Sequence, residues 1–222
     1  MNKKIQKIIR KKNKSKIVSL TAYSKNISKI LDKYCDIVLV GDSMANVLYG
    51  LKNTHEISLE NIIQHTKSVK KGVKKSLLVV DMPKGTYINK TVAKKNAKKI
   101  MRMTKCDAVK IESNNKNYNI IRELVKNHIP VMGHIGYTPQ FKKKFKIEGE
   151  TILKAEKLLK EALLIEKAGA FSIVLECISP KTSKLITEKI SIPTIGIGSS
   201  SYCDGQILVT DDMLGLSGFY PK

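Results

Sequence analysis

The apolar residues of the chain fall into short runs rich in Val, Ile and Leu, separated by longer stretches in which apolar residues recur at helical spacing. This alternation is typical of βαβ units built around a parallel sheet. Several runs are apolar throughout, as in strands that are buried on both faces. They predict strands at 17–20, 37–40, 77–80, 108–111, 130–132, 172–175, 193–197 and 207–209.

The stretches between these strands predict helices, and their periodicity places them at 24–34, 59–71, 91–105, 118–127, 151–168 and 180–189. Gly72 and Gly169 stand where a residue of left-handed conformation would end a helix. Eight candidate strands favour a closed (β/α)8 TIM barrel, and a doubly wound open sheet is the alternative.

A length of 222 residues suits one domain. We expect residues 1–222 to form a single barrel, in which the basic and acid-free segment 1–16 forms a short N-terminal helix. Residues 137–150 are the one irregular stretch. We interpret them as a lid over the barrel mouth, because a loop of this length inside a compact domain is more often functional than idle.

The formal net charge of +22 raises the hypothesis of nucleic-acid binding, with a steep dependence on salt. The excess is lysine, and Arg10, Arg102 and Arg122 are the only arginines. Proteins that recognise bases or phosphates commonly use the planar guanidinium, so we interpret the charge as lysines on solvated faces. No nucleic-acid partner is expected.

The cysteines lack the paired spacing of a zinc or redox site, which favours reduced thiols in the cytoplasm; they are Cys35, Cys106, Cys177 and Cys203. No apolar run approaches the length that spans a bilayer, so no membrane partner is expected.

Polar residues follow the predicted strands at the end where a parallel barrel has its active site. Five successive strands, from the second to the sixth, carry such groups: Asp42, Ser43, Asp81, Lys110, Glu112, His134 and Glu176. Each residue alone has an ordinary alternative, since an Asp after a strand commonly caps a helix or forms a turn. Because all seven residues follow or end strands on the same side of the predicted barrel, a single shared site is favoured over separate caps and turns.

Three of these residues, Asp42, Asp81 and Glu112, are carboxylates that would repel one another in a poorly solvated site. A divalent cation would relieve this repulsion, and oxygen ligands from few carboxylates favour Mg²⁺ over zinc. Mg²⁺ bound by a 2-keto acid polarises the ketone and stabilises the enolate formed when a base removes the neighbouring proton. The residues alone therefore predict metal-assisted enolisation of a keto acid and leave the electrophile open.

The other residues have candidate roles in this chemistry. Glu176 is the candidate base, Lys110 and Ser43 are candidates for holding the substrate carboxylate, and His134 is a candidate donor to a developing oxyanion. The remaining histidines lie away from the predicted strand ends, and we interpret them as structural or solvent-facing: His55, His65 and His128.

Longer stretches around these residues resemble the ketopantoate hydroxymethyltransferase family. They occur in family order across nearly the whole chain: TAY at 21–23, VGDS at 40–43, VVDMP at 79–83, AVKIE at 108–112, GHIGYTPQ at 133–140, VLEC at 174–177, IPTIGIG at 192–198 and DGQILV at 204–209. GHIGYTPQ and DGQILV are the most specific, since strand packing does not dictate such polar strings.

The resemblance implies a TIM barrel of the phosphoenolpyruvate mutase/isocitrate lyase type. It implies a Mg²⁺-dependent, cytoplasmic, homo-oligomeric enzyme of pantothenate biosynthesis. That enzyme would transfer a hydroxymethyl group from 5,10-methylenetetrahydrofolate to 3-methyl-2-oxobutanoate and give 2-dehydropantoate. The implied roles are metal binding by Asp42, Asp81 and Glu112, keto-acid binding by Asp42, Ser43, Asp81 and Lys110, and catalysis by Glu176 and His134.

The chain departs from the family pattern at its periphery. Ser24 replaces an Asp near the first strand end, Lys84 replaces a Phe, and Lys143 and Lys144 replace a glycine pair of the lid. The expected barrel also lacks the C-terminal helical segment of the family, which leaves the oligomer size open. We therefore expect altered folate contacts and lid closure. The alternatives are a related Mg²⁺-dependent keto-acid lyase or mutase and a degraded family member of low activity.

Overall fold

The computed structural model describes residues 2–113, 117–142 and 144–218. Its parallel strands close into a barrel in sequence order, and the last strand pairs with the first. The strands are β1 (Ile17–Thr21), β2 (Ile37–Val40), β3 (Leu77–Asp81), β4 (Ala108–Glu112), β5 (Val131–Gly136), β6 (Ser172–Glu176), β7 (Thr194–Ile197) and β8 (Gly205–Leu208). The predicted closed barrel is confirmed, and the open sheet is wrong.

The predicted helices are present on the outside of this barrel. The described part of the chain forms α1 (Lys3–Arg10), α2 (Lys25–Leu31), α3 (Met44–Val47), α4 (Leu59–Lys70), α5 (Lys90–Thr104), α6 (Tyr118–Lys126), α7 (Ile152–Lys167), α8 (Pro180–Lys189) and α9 (Thr210–Met213), and a 3-10 helix at Thr54–Glu56. The sequence did not predict α3, α9 or the 3-10 helix, because elements of three or four residues are too short to show a helical period. Every helix in the described ranges is too short or too polar to cross a bilayer.

The apolar core has two layers. Side chains between the strands and the outer helices form the larger layer. The smaller layer fills the barrel interior with residues such as Ile37, Leu77 and Ile195. Ile5 and Ile8 of α1 belong to this inner layer and are each 1% exposed. Helix α1 therefore closes the N-terminal end of the barrel with its apolar face.

Lysines around α1 fasten it to aspartates that directly precede strands. Lys4 Nζ lies 3.5 Å from Asp107 before β4, and Lys11 Nζ lies 2.6 Å from Asp36 before β2. The third pair joins Lys12 to Asp204 before β8 at 2.9 Å, where both side chains are at least 90% buried. Part of the basic charge of the N-terminal segment thus serves to hold this helix in place.

The two glycines expected to end helices behave differently. Gly169 has a φ of +95° after α7, as predicted. The prediction for Gly72 is wrong, since its φ is not positive. A Cβ at Gly72 would lie 2.2 Å from Ser28 Oγ and 2.5 Å from the Lys25 carbonyl oxygen. Glycine is needed there because α2 packs directly against the end of α4.

Candidate active site

A cavity of about 770 Å³ opens at the carboxyl ends of the strands. The seven residues predicted to form the site all line it, from Asp42 and Ser43 after β2 to Glu176 at the end of β6. The strands bring them together because parallel neighbours in a barrel end at the same face. Asp212 and Ser217, which follow β8, line another part of the wall.

Lys110 lies among the carboxylates at the bottom of the cavity. Its Nζ contacts Asp81 Oδ1 at 2.9 Å, and Asp81 Oδ2 accepts a hydrogen bond of 3.1 Å from the backbone N–H of Asp42. Burial alone would lower the pKa of Lys110, but the charges of Asp81, Glu112 and Asp42 outweigh burial and raise it. Lys110 is therefore cationic at neutral pH.

The carboxylates outnumber this cation. Burial, followed by the charge of Asp81, raises the pKa of Asp42 to about 7. Burial also raises the pKa of Glu112 well above its ordinary value, against the opposing charge of Lys110. The site thus resists full ionisation of its acidic groups, which is the condition that a bound divalent cation relieves.

The donor chemistry of these carboxylates fits Mg²⁺, which prefers oxygen ligands. Within the described ranges, no group of three or more His, Cys, Asp or Glu side chains is arranged so that it could hold a metal ion. Mg²⁺ is commonly bound by one or two carboxylates, with water and substrate as the remaining ligands. Asp42 and Asp81, which are hydrogen-bonded neighbours, can supply such a pair.

His134 connects Lys110 to Glu176. Its Nε2 lies 3.1 Å from Glu176 Oε2, and Lys110 Nζ lies 3.4 Å from its Nδ1. Burial, followed by the charge of Lys110, lowers the pKa of His134. The neutral imidazole therefore accepts from Lys110 at Nδ1 and carries its hydrogen on Nε2, which lies close to the Glu176 carboxylate. The Glu176 side chain is 17% exposed and lines the cavity.

The backbone around Glu176 is tightly constrained. Tyr137 N donates to the Glu176 carbonyl at 2.8 Å, and Cys177 has a φ of +53°. Gly136 has a φ of +97°, and a Cβ there would lie 2.1 Å from the Glu176 carbonyl oxygen. Only glycine fits this close approach between the ends of β5 and β6.

Ser43 is held by a tyrosine of the first strand end. The Ser43 and Tyr23 hydroxyl oxygens lie 2.9 Å apart, and Tyr23 is buried. Ser24, in contrast, is exposed and is not among the residues that line the cavity. The departure at Ser24 leaves the lining of the cavity unchanged.

The interpretation of His55 as remote from the site is wrong. The 3-10 helix places it on the cavity wall, where its Nε2 donates to the Pro139 carbonyl at 3.1 Å. Lys84 Nζ lies 3.2 Å from His55 Nδ1, so the departure at position 84 creates a polar contact at the rim. The sequence held no signal for this position, because a three-residue helix shows no periodicity.

The other two histidines fit their interpretation. His65 bridges the Tyr23 carbonyl at 2.8 Å and the Tyr49 hydroxyl at 2.9 Å, which is a structural role. His128 is exposed.

Gln140 also belongs to the site, although it was not among the predicted site residues. Its side chain is 1% exposed, and its Nε2 donates to Asp42 Oδ2 at 2.7 Å. A signal was present, because Gln140 ends the polar GHIGYTPQ stretch whose composition strand packing does not explain.

The loop 137–150 covers one side of the cavity with Tyr137, Pro139 and Lys142. Lys142 Nζ contacts the Gly136 carbonyl at 2.7 Å and Glu148 Oε1 at 2.6 Å, which folds the loop back on its own start. Lys144 is exposed, whereas Lys143 lies outside the described residues, as do Pro221 and Lys222 at the end of the chain.

Solved structures with a similar fold include members of the phosphoenolpyruvate mutase/isocitrate lyase superfamily. A complex of phosphonopyruvate hydrolase with oxalate and Mg²⁺ has a TM-score of 0.72 and 10% sequence identity, covering 97% of this chain and 83% of that one. A 2,3-dimethylmalate lyase of the phosphoenolpyruvate mutase/isocitrate lyase superfamily has a TM-score of 0.72 and 14% identity, covering 97% and 80%. These likenesses confirm the predicted (β/α)8 barrel fold.

Sequence relatives are much closer. The 3-methyl-2-oxobutanoate hydroxymethyltransferase of Pelagibacter ubique (strain HTCC1062) is 55% identical over 98% of this chain and 84% of that protein. The enzyme of the same name from Anaplasma marginale (strain St. Maries) is 46% identical over 96% and 78%. The family model of ketopantoate hydroxymethyltransferase matches residues 2–222. The chain therefore belongs to the ketopantoate hydroxymethyltransferase family.

Proposed function

We propose that this chain transfers a hydroxymethyl group from 5,10-methylenetetrahydrofolate to 3-methyl-2-oxobutanoate and forms 2-dehydropantoate for pantothenate synthesis. The observation that carries the proposal is the meeting of seven polar residues from five neighbouring strands in one cavity. In the net reaction a carbon–carbon bond joins C3 of the keto acid to the one-carbon unit. Water supplies the hydroxyl oxygen, and tetrahydrofolate is released.

Asp42 and Asp81 would hold Mg²⁺, with Glu112 close to it. When bound, the ion would polarise the substrate ketone and so make the C3 proton more acidic. Lys110 is a buried cation beside these carboxylates, and Ser43 offers a hydroxyl held by Tyr23. We assign these two residues, together with Asp42 and Asp81, to binding of the keto acid.

Glu176 is the base that removes the C3 proton in this proposal. It is the most exposed of the four carboxylates among the seven predicted site residues, so it is open to substrate. His134 Nε2 orients the Glu176 carboxylate and is also a donor for an oxyanion that develops on the substrate. Because the pKa of His134 is lowered, it acts as a neutral donor and not as a cation.

The folate would enter from the open side of the cavity, past the rim formed by His55 and Lys84. The loop 137–150 is the proposed lid beside this rim, because three of its residues already line the wall and Pro139 accepts a hydrogen bond from His55. We further propose that residues 1–222 act as one barrel domain behind the N-terminal helix, and that the enzyme is a cytoplasmic homo-oligomer, as the family resemblance implies.

The proton-transfer step can be tested without folate. Purified protein with Mg²⁺ should exchange the C3 proton of 3-methyl-2-oxobutanoate for deuterium in D₂O, followed by NMR. Glu176→Gln keeps the size of the side chain and removes the base, so exchange should fall by roughly 10²–10⁴-fold. Glu188→Gln, at an exposed position of α8, is the matched control and should leave exchange unchanged.

Absence of exchange by the folded, unaltered chain with Mg²⁺ would refute the proposed function. Addition of 5,10-methylenetetrahydrofolate then distinguishes the alternatives. Exchange with formation of 2-dehydropantoate supports the transferase. Exchange without transfer favours a related lyase or mutase, and slow exchange with slow transfer favours a degraded enzyme.

A further inference from the structure

Gln140 lies at the start of the loop 137–150 and has no part in the chemistry described so far. Its buried amide is fully engaged. Nε2 donates to Asp42 Oδ2 at 2.7 Å and to the Met82 carbonyl at 3.1 Å, and Oε1 accepts from the Tyr87 hydroxyl. Both donor hydrogens and the acceptor oxygen therefore have partners, so the amide has one orientation.

The backbone of the same residue binds a second carboxylate. Gln140 N donates to Glu112 Oε2 at 3.0 Å. Gln140 thus bridges acidic groups that follow β2 and end β4, and each bond engages one oxygen of its carboxylate. Burial raises the pKa of Asp42 and of Glu112, and the two hydrogen bonds from Gln140 oppose this rise.

We propose that Gln140 is a positioning residue for the divalent cation, because it fixes the carboxylate of Asp42, a proposed metal ligand, and that of Glu112, which lies close to the proposed cation. This inference rests on the proposed function, which places the cation at these carboxylates. Hydrogen-bond partners of metal ligands commonly contribute about 10–100-fold to affinity, since they fix the ligand before the metal arrives.

The same contacts couple the loop to the cation. Because both bonds come from a loop residue, binding of the cation should stabilise the loop to the extent that the loop stabilises the cation. Gln140 and its neighbours at 137–142 should therefore show slower amide hydrogen exchange when metal is bound. Surface elements such as α8 should show no change.

Gln140→Met tests this role, because methionine has nearly the same length and lacks the amide. Gln64→Met is the matched control, since Gln64 Nε2 also donates to a carboxylate, Glu60 Oε1 at 3.1 Å, on the exposed face of α4. Mn²⁺ serves as the probe, with binding followed by electron paramagnetic resonance and folding by circular dichroism. We expect the Kd for Mn²⁺ to rise at least about tenfold in Gln140→Met and to stay within about twofold in Gln64→Met.

Measurements of C3 proton exchange distinguish a positioning role of Gln140 from a general loss of structure in the variant. The Mg²⁺ concentration for half-maximal C3 proton exchange should rise about tenfold in Gln140→Met. The exchange rate at saturating Mg²⁺ should return to within about threefold of the unaltered chain, because Glu176 and His134 are untouched. A rate that stays low at saturating Mg²⁺ would count against a role in cation binding.

Tyr87→Phe decides the question if Gln140→Met does not fold. It keeps the ring and removes the hydroxyl that fixes the Gln140 amide, so the Kd for Mn²⁺ should rise about threefold or more. Unaltered Mn²⁺ affinity in folded Gln140→Met would overturn this inference and leave the proposed function standing. The same holds for Tyr87→Phe if the first variant does not fold. Failure of the unaltered chain to bind Mn²⁺ would overturn both the metal assignment and this inference.

Discussion

Gly136→Ala is the most direct test of how the barrel positions its proposed base. The added Cβ would lie 2.1 Å from the Glu176 carbonyl oxygen and 2.7 Å from Ile178 Cγ1. Cβ atoms essentially never approach closer than 3.0 Å, so the Glu176 backbone must retreat by roughly 1 Å. Alanine at a φ of +97° costs about 1–2 kcal/mol, and the steric overlap adds about 1–3 kcal/mol.

We therefore expect Gly136→Ala to lower the free energy of unfolding by about 2–5 kcal/mol, measured by urea denaturation. In folded protein, C3 proton exchange should fall by about 10²-fold, because a displacement of about 1 Å at a catalytic group has that effect.

Gly85→Ala is the matched control for the backbone contribution. Gly85 has a similar φ of +84°, but a Cβ there meets no atom within 4 Å. It should lose only about 1–2 kcal/mol and keep its exchange activity. Equal destabilisation of the two variants, with exchange intact in both, would refute the idea that close packing against Gly136 sets the position of Glu176.

Lys110→Met leaves its buried carboxylate partners without their cation, so it should destabilise the metal-free protein by about 3–5 kcal/mol in urea denaturation, with partial recovery in Mg²⁺. Ile8→Ala opens the sealed barrel end and should cost about 2–5 kcal/mol, whereas Ile30→Ala at a position 55% exposed should cost far less. Burial alone would raise the pKa of Asp32, but backbone amides led by that of Ser76 outweigh it and lower the pKa. The stabilisation by ionised Asp32 is thus present above about pH 4 and is lost as pH falls through the folded-state pKa, so the stability gap between Asp32→Asn and the unaltered chain should close in acid denaturation curves.

The fold was readily predicted, because strands buried on both faces and helices with one apolar face leave clear periodic patterns. The candidate site followed from one rule, that polar residues after parallel strands meet at one end of a barrel. Asp42, Asp81 and Glu176 lie at that end, and their ionisable side chains contrast with the apolar runs before them.

The features that were missed depend on contacts between distant segments. Gln140 reaches Asp42 across 98 residues, and Gly72 is required by α2, which lies 41 to 47 residues earlier in the chain. A glycine that permits close packing and a glycine that ends a helix look the same in sequence. His55 escaped notice because its position depends on an element of three residues that has no pattern of its own.

Closure of the N-terminal end of the barrel by α1 also affects how the protein folds during its synthesis. Helix α1 leaves the ribosome before β8, and Lys12 cannot pair with Asp204 until that residue, 192 positions later, has been synthesised. Such distant pairings slow folding, since the entropy of closing the chain is lost before the contact compensates for it. A nascent chain without β8 therefore exposes Ile5 and Ile8, and this interval is when a chaperone or a protease would meet the protein.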